Sequence, residues 1–339
     1  MARERWNPPN PWLREALELD QPAPLDGLDV RLEEAKSALS ENDSPDLPFR
    51  WSLNPYRGCQ HACSYCYARP THQYLGLGAG SDFERRLIVK SNLPEVLARE
   101  LARPSWRGES ISIAGVTDPY QPLEARWQIT RRCLEVCLQY RNPVSIVTKG
   151  VLVTRDAELL AELARVAGAR VFVSVPLLDA ELARALEPGA PTPRERLAAL
   201  SELARAGVPT GLALAPFVPR LSEEGLAELV AAAAEAGASS AFLVLLRVPA
   251  EVLEVFRHRL EERLPGRAAA ILTALAEMRG GALQESRFGT RMRGVDPRFA
   301  AMQQLFRVLC LRHGLATAER EPLAILRAPA QPRQGELFP

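Results

Sequence analysis

Between residues 51 and 263 a short apolar run bounded by Gly or Pro is followed six times by a longer stretch of helical period, and no other feature limits the fold as strongly. The apolar runs cover 51–56, 111–116, 144–148, 171–175, 210–215 and 241–246; the helical stretches cover 93–101, 128–139, 154–166, 193–205, 222–236 and 249–263. Thr154 ahead of Asp156, and Ser222 ahead of Glu224, read as helix caps. Strand–helix units in series predict an α/β fold with a mostly parallel sheet covered by helices. The run 241–246 is continuously apolar, which suits a strand buried on both faces. Six units fall short of an eight-stranded barrel, so a partial (β/α)6 barrel is expected, with its site at the carboxyl ends of the strands. Helical pattern resumes at 267–278 and 299–311. The expected layout is a loosely organised lead-in over 1–49, the barrel over 50–265, a helical extension over 266–327 and a flexible tail over 328–339.

Charge is balanced at +1, which argues against a protein held to nucleic acid by bulk electrostatics. The balance is uneven along the chain: 1–49 carries −6, 50–149 carries +6, 150–278 carries −4 and 279–339 carries +5. Only three lysines are present, Lys36, Lys90 and Lys149, against 39 arginines. Apolar runs are far shorter than the roughly 18 residues that span a bilayer, so no membrane association is expected. The N-terminus lacks the apolar core of a secretory signal, and a cytoplasmic address is the expectation.

In that compartment thiols stay reduced, so the six cysteines do not form a disulfide framework. Cys59, Cys63 and Cys66 make a CxxxCxxC cluster directly after the first strand, whereas Cys133 and Cys137 lie at i and i+4 on an apolar helical face. Cys310 reads as a further core residue. Three thiolates at this spacing suit three corners of an iron–sulfur cubane whose fourth iron stays open to a chelating molecule. They also suit a zinc site completed by His61 or by Cys133 and Cys137.

The spacing resembles the radical S-adenosylmethionine superfamily, and its longer context resembles the spore photoproduct lyase-related branch. That context is Asn-Pro-Tyr-Arg-Gly-Cys at 54–59, Tyr-Cys-Tyr at 65–67, Thr-Asp-Pro-Tyr-Gln-Pro at 117–122, Val-Thr-Lys-Gly at 147–150, Val-Phe-Val-Ser-Val at 171–175 and Ala-Leu-Ala-Pro-Phe-Val-Pro at 213–219. The resemblance covers roughly 50–247 in consistent order. It implies a [4Fe-4S] cluster on Cys59, Cys63 and Cys66, with S-adenosylmethionine on the fourth iron. A low-potential donor supplies one electron, and cleavage of the cofactor gives methionine and a 5′-deoxyadenosyl radical. Tyr65 is implied beside the adenine, Lys149 at the cofactor carboxylate and Ser174 at its polar groups. Thr117 and Asp118 orient cofactor or substrate, or cap the turn into Pro119. The resemblance breaks at one place: the branch has a cysteine hydrogen donor after the second strand, and 113–118 contains no thiol. Radical generation is therefore expected without that hydrogen relay, in a lyase-like reaction on DNA or, alternatively, on a protein or small metabolite.

Two further segments bear on partners. Arg287, Arg291 and Arg293 surround Phe288 in a run that either grips phosphates or closes the barrel by pairing with the acidic middle of the chain. Near the end, Gln334, Leu337 and Phe338 match the Gln-x-x-Leu-Phe pattern of peptides that bind the bacterial sliding clamp, a candidate partner that would place the chain at DNA.

Overall fold

The computed structural model describes residues 6–8, 27–113, 115–284, 287–292 and 294–317. The six expected strands are present as β1 (Trp51–Leu53), β2 (Ile111–Ile113), β3 (Val144–Thr148), β4 (Ala169–Ser174), β5 (Thr210–Phe217) and β6 (Ser240–Leu245). Each pairs in parallel with the next in sequence, for example Trp51 with Ile111, Val144 with Ala169 and Gly211 with Ser240. All six carboxyl ends therefore open on one face. The sheet does not close on itself: Leu39–Glu41 adds antiparallel to β1 at one edge, and Ala316–Thr317 adds parallel to β6 at the other. This is the partial (β/α)6 barrel that the alternation predicts.

Its outer layer comprises α1 (Leu93–Leu101), α2 (Ile129–Gln139), α3 (Ala157–Val166), α4 (Pro193–Arg205), α5 (Leu226–Glu235) and α6 (Ala250–Arg263), followed by α7 (Pro265–Met278) and α8 (Pro297–Arg312). These helices form because apolar residues recur on one face. In α3 that face is Ala157, Leu160 and Leu163, and in α2 it is Ile129, Cys133, Leu134 and Cys137. Each fully buried Leu among them contributes about 1.5–3 kcal/mol. Cys133, Cys137 and Cys310 are wholly buried in the same core, as packing residues should be.

Several local expectations are corrected. Thr154 lies in a 3₁₀ turn, Val151–Asp156, and Asp156 gives its carboxylate to Arg131, Arg155 and Tyr120 instead of to the helix start. Ser222 does not cap α5 either; its hydroxyl donates to Pro176 O and accepts from Val218 N, and Gly225 holds the N-cap position. Side-chain caps form instead at Thr192 with Glu195 on α4, at Asp296 on α8 and at Asp179, which heads the short helix Ala180–Leu186. Over 29–49 the lead-in is not loosely organised. Asp29–Glu33 pairs with Arg86–Lys90, which pairs in turn with Tyr56–Arg57. The backbone donors of Ala38 and Leu39 are taken by the Glu100 carboxylate, and Ala35 N by Asn92. Such long-range partners leave no mark on composition. Among the described residues no helix is long and apolar enough to cross a membrane. The tail with Gln334, Leu337 and Phe338 lies outside the described residues, as does Arg293.

Candidate active site at the barrel mouth

The cysteine loop starts where β1 leaves the sheet. Asn54 accepts from Val116 N at 2.9 Å and ties the exit of β1 to the end of β2. At Gly58 the backbone turns through φ +77°, and a Cβ there would lie 2.7 Å from Leu87 Cδ2 and 2.8 Å from Phe83 O. Only glycine permits this approach. Cys59 N then donates to Phe83 O at 2.9 Å, and the three cysteines follow on short turns closed by Ala62 N to Cys59 O and Cys66 N to Cys63 O, both 3.3 Å. Cys59 and Cys63 are buried and Cys66 is half-buried.

Arg69 holds this loop together, and sequence reasoning missed it. The side chain is fully buried, and all five of its N–H donors are used: Nε to Cys63 O (2.9 Å), Nη1 to Ala79 O (3.0 Å) and Gly80 O (2.9 Å), Nη2 to Ala62 O (3.2 Å) and Glu84 Oε1 (2.5 Å). In a chain with 39 arginines nothing in the sequence singles this one out.

The opposite wall is the loop after Leu186. Ser64 N donates to Leu186 O (2.8 Å) and Gly189 N to His61 O (3.0 Å), while a Cβ at Gly189 would stand 2.0 Å from Gln60 O. This docking brings the buried Glu187 to the cysteine loop. Its carboxylate accepts from the Tyr65 hydroxyl and from Arg196 Nη2, and Lys149 Nζ lies 3.7 Å away. Arg196, also buried, donates to Ser174 O (3.1 Å) and Pro191 O (2.8 Å). Lys149 Nζ donates to Ser174 Oγ at 3.0 Å and stands 5.8 Å from the centroid of the Tyr65 ring. Tyr65, Lys149 and Ser174 are thus gathered at one place on three different elements, with Glu187 and Arg196 as unforeseen partners.

Thr117 and Asp118 sit in the same layer with their side chains committed to the protein. Thr117 Oγ1 donates to Gly58 O at 2.6 Å. Asp118 accepts from Tyr120 N (2.9 Å), Thr148 Oγ1 (2.6 Å) and Lys149 N (2.8 Å), and His61 Nδ1 lies 3.3 Å away. Burial opposes its carboxylate, but His61 and these donors outweigh it and bring the pKa to about 2. Both residues brace the ends of β2 and β3 against the cysteine loop.

Burial pushes the Cys59, Cys63 and Cys66 thiols up. Lys149 and Arg196 act the other way on Cys63, and Arg69 and Lys149 on Cys66. Cations therefore stand ready to favour the thiolates that a metal centre needs. Among the described residues no three His, Cys, Asp or Glu side chains converge as a single ion requires, and Cys133 and Cys137 are sealed in the core.

A family model described as the radical SAM superfamily matches residues 53–233, more than half of the chain. The chain belongs to the radical SAM superfamily. Among its relatives, uncharacterized proteins of Mycobacterium tuberculosis and Mycobacterium bovis are 42% identical over 63% of this chain and 64% of their own length. An uncharacterized protein of Methanocaldococcus jannaschii is 29% identical over 51% of this chain and 62% of its own. The chain thus spans slightly under two thirds of the curated relatives it matches. Among solved structures, spore photoproduct lyase complexed with dinucleoside spore photoproduct superposes with a TM-score of 0.62 at 19% identity, covering 85% of this chain and 81% of that one. At that identity the likeness is one of fold, and it agrees with the partial barrel. Membership in this superfamily of enzymes implies S-adenosylmethionine and an iron–sulfur cluster. The buried three-cysteine loop, cationic surroundings and polar strand ends fit both.

Proposed function

We propose that this radical SAM enzyme holds a [4Fe-4S] cluster on Cys59, Cys63 and Cys66 and cleaves S-adenosylmethionine reductively at the barrel mouth. The carrying observation is that the three-cysteine loop and the Lys149–Ser174 pair meet across one mouth, joined through Tyr65 and Glu187. When bound, cluster and cofactor supply an electron transfer that splits the sulfonium S–C5′ bond into methionine and a 5′-deoxyadenosyl radical, which abstracts hydrogen from substrate. In this reading Lys149 takes the cofactor carboxylate, exchanging its contact with Glu187 for a closer anion. Ser174 orients the ammonium through its bond to Lys149, and Tyr65 offers its ring face to the adenine. Arg69, Thr117 and Asp118 keep the loop from moving when charge changes within it.

Anaerobic reconstitution followed by assay of 5′-deoxyadenosine with dithionite and S-adenosylmethionine tests this reading. Failure to load iron, or equal cleavage by Cys63→Ala, refutes it. For substrate we propose DNA, in a lyase-like repair reaction. The support is the basic character of 50–149 and 279–339 together with the fold shared with an enzyme complexed with a dinucleoside photoproduct. A clamp contact through Gln334, Leu337 and Phe338 belongs to this reading and stands on the sequence pattern alone. Ultraviolet-irradiated and undamaged oligonucleotides, compared for modification by the reconstituted enzyme, test the substrate.

A further inference from the structure

Two residues past β6, at the same face as the cysteines, Arg247 is half-buried and makes no hydrogen bond or ion pair among the described residues. Its surroundings are otherwise tightly paired. The buried Arg279 donates through Nη2 to Leu246 O, the carbonyl just before Arg247, and to Arg291 O at 3.1 Å, so the end of β6 and the 287–292 loop are pinned together. Arg291 is neutralised: its Nε meets Asp46 Oδ2 and its Nη2 meets Ser44 Oγ, both at 2.5 Å, and its guanidinium lies 4.3 Å from the centroid of the Phe288 ring. Asp46 also accepts from Gly289 N at 2.7 Å. Hence the loop does close over the barrel, but Arg291 pairs with the lead-in and not with the acidic middle of the chain. Arg247 is the cation here with no hydrogen-bonded or ion-paired partner among the described residues, Asp46 acting on it only through its field. Burial and then the field of Arg291 disfavour its protonated form, and the weaker opposing fields of Tyr67 and Asp46 do not offset them, an adverse balance for a guanidinium that stays charged in proteins. Tyr67, the residue after Cys66, lies within its electrostatic reach, and the Tyr67 and Phe288 rings are each more than half exposed. Tyr67 follows the last cluster cysteine and Phe288 sits on the loop that Arg279 ties to the end of β6, so open aromatics and a cation without a hydrogen-bonded partner end the same side of the sheet, an arrangement that suits a ligand both anionic and planar.

We propose that Arg247 is the substrate-recognition cation of this mouth, taking one phosphate oxyanion of a nucleic-acid strand while Tyr67 and Phe288 offer stacking faces for its bases. This rests on the DNA reading above and assigns to a residue outside the cofactor set the task of holding the strand over the site. Arg rather than Lys suits the task, because its fork meets a phosphate through two donors.

The test uses the full-length reconstituted enzyme and a fluorescein-labelled twelve-nucleotide oligothymidylate, followed by anisotropy across a salt series. Arg247→Gln is expected to weaken binding about tenfold, as loss of one charge-assisted hydrogen-bonded contact does. The slope of log K against log salt should fall by about 0.7, the share of one single-strand phosphate. Arg247→Lys should keep the slope and lose part of the affinity, and Phe288→Ala should lose about fivefold or more without changing the slope. If the wild-type enzyme binds the oligonucleotide and Arg247→Gln binds it equally, with the same slope, this proposal fails and the DNA reading stands. If the wild-type enzyme does not bind it, the DNA reading fails and takes the proposal with it. Weakened S-adenosylmethionine binding by Arg247→Gln in equilibrium dialysis would move Arg247 to the cofactor and overturn the assignment. Equal competition by a twelve-residue polyglutamate peptide would replace nucleic acid by an acidic polypeptide.

Discussion

Replacing Arg69 by Met keeps much of the side-chain volume and removes all five donors. The loss can be bounded from its partners. Deleting one member of a buried ion pair costs about 3–5 kcal/mol. Glu84 retains Arg259 at 3.5 Å, which puts the ionic part toward the lower end. Four carbonyls, of Ala62, Cys63, Ala79 and Gly80, also lose a charged donor, adding about 1 kcal/mol or more where water cannot reach them. A total near 4 kcal/mol is a large part of the roughly 5–15 kcal/mol available to a folded domain. With an unfolding entropy of about 2.1 cal/mol/K per residue, a chain of this length should show a Tm lower by roughly 6 °C. Differential scanning calorimetry measures this directly, and iron per chain after reconstitution reports the loop itself, because the Ala62 and Cys63 carbonyls set its course between the cysteines. Arg69→Met with Glu84→Gln should regain about 2 kcal/mol by removing the stranded carboxylate. A Tm within about 1.5 °C of wild type, together with full iron loading, would refute Arg69 as the organiser of the loop.

Gly58→Ala should be destabilising by about 1–3 kcal/mol and lower iron content, since the new methyl meets Leu87 and Phe83 O at a left-handed φ; thermal denaturation and iron assay check both. Asp118 has a folded pKa of about 2, below its ordinary 3.8, so its contribution of about 2 kcal/mol is present above pH 4 and is lost as pH falls toward 2. Asp118→Asn should accordingly flatten the acid limb of stability between pH 4 and 2, while an unchanged limb would contradict the His61 and Thr148 contacts as its cause. Lys149→Met should weaken S-adenosylmethionine about tenfold or more in equilibrium dialysis, by loss of a charge-assisted bond, with cluster absorbance retained; equal affinity would remove Lys149 from the cofactor site.

The barrel was legible because its signal is local and periodic. Each strand is a short apolar run and each helix an apolar stripe, and the order of the units fixes a parallel sheet whose carboxyl ends share a face. The cysteine triplet was legible for a related reason: its spacing is a property of one loop. Lys149 and Ser174 could be proposed because the family resemblance implies them on two recognisable strands, Lys149 at the end of one and Ser174 within the other. Helix starts were read less well. The side chains of Thr154 and Ser222 look like caps in sequence, but Thr154 falls inside a 3₁₀ turn and Ser222 found partners elsewhere in the fold.

By itself, then, the sequence determined the partial barrel, the loop that carries three thiols, and the face on which the site lies. Tertiary structure alone decided which charges meet there. Glu187 reaches Tyr65 across 122 positions and Arg291 reaches Asp46 across 245. Arg69 stands out by spending all five donors inside the core, and Arg247 by being half-buried with no hydrogen-bonded or ion-paired partner among the described residues. These are properties of distance after folding, and a charged side chain carries no record in sequence of the group it will face.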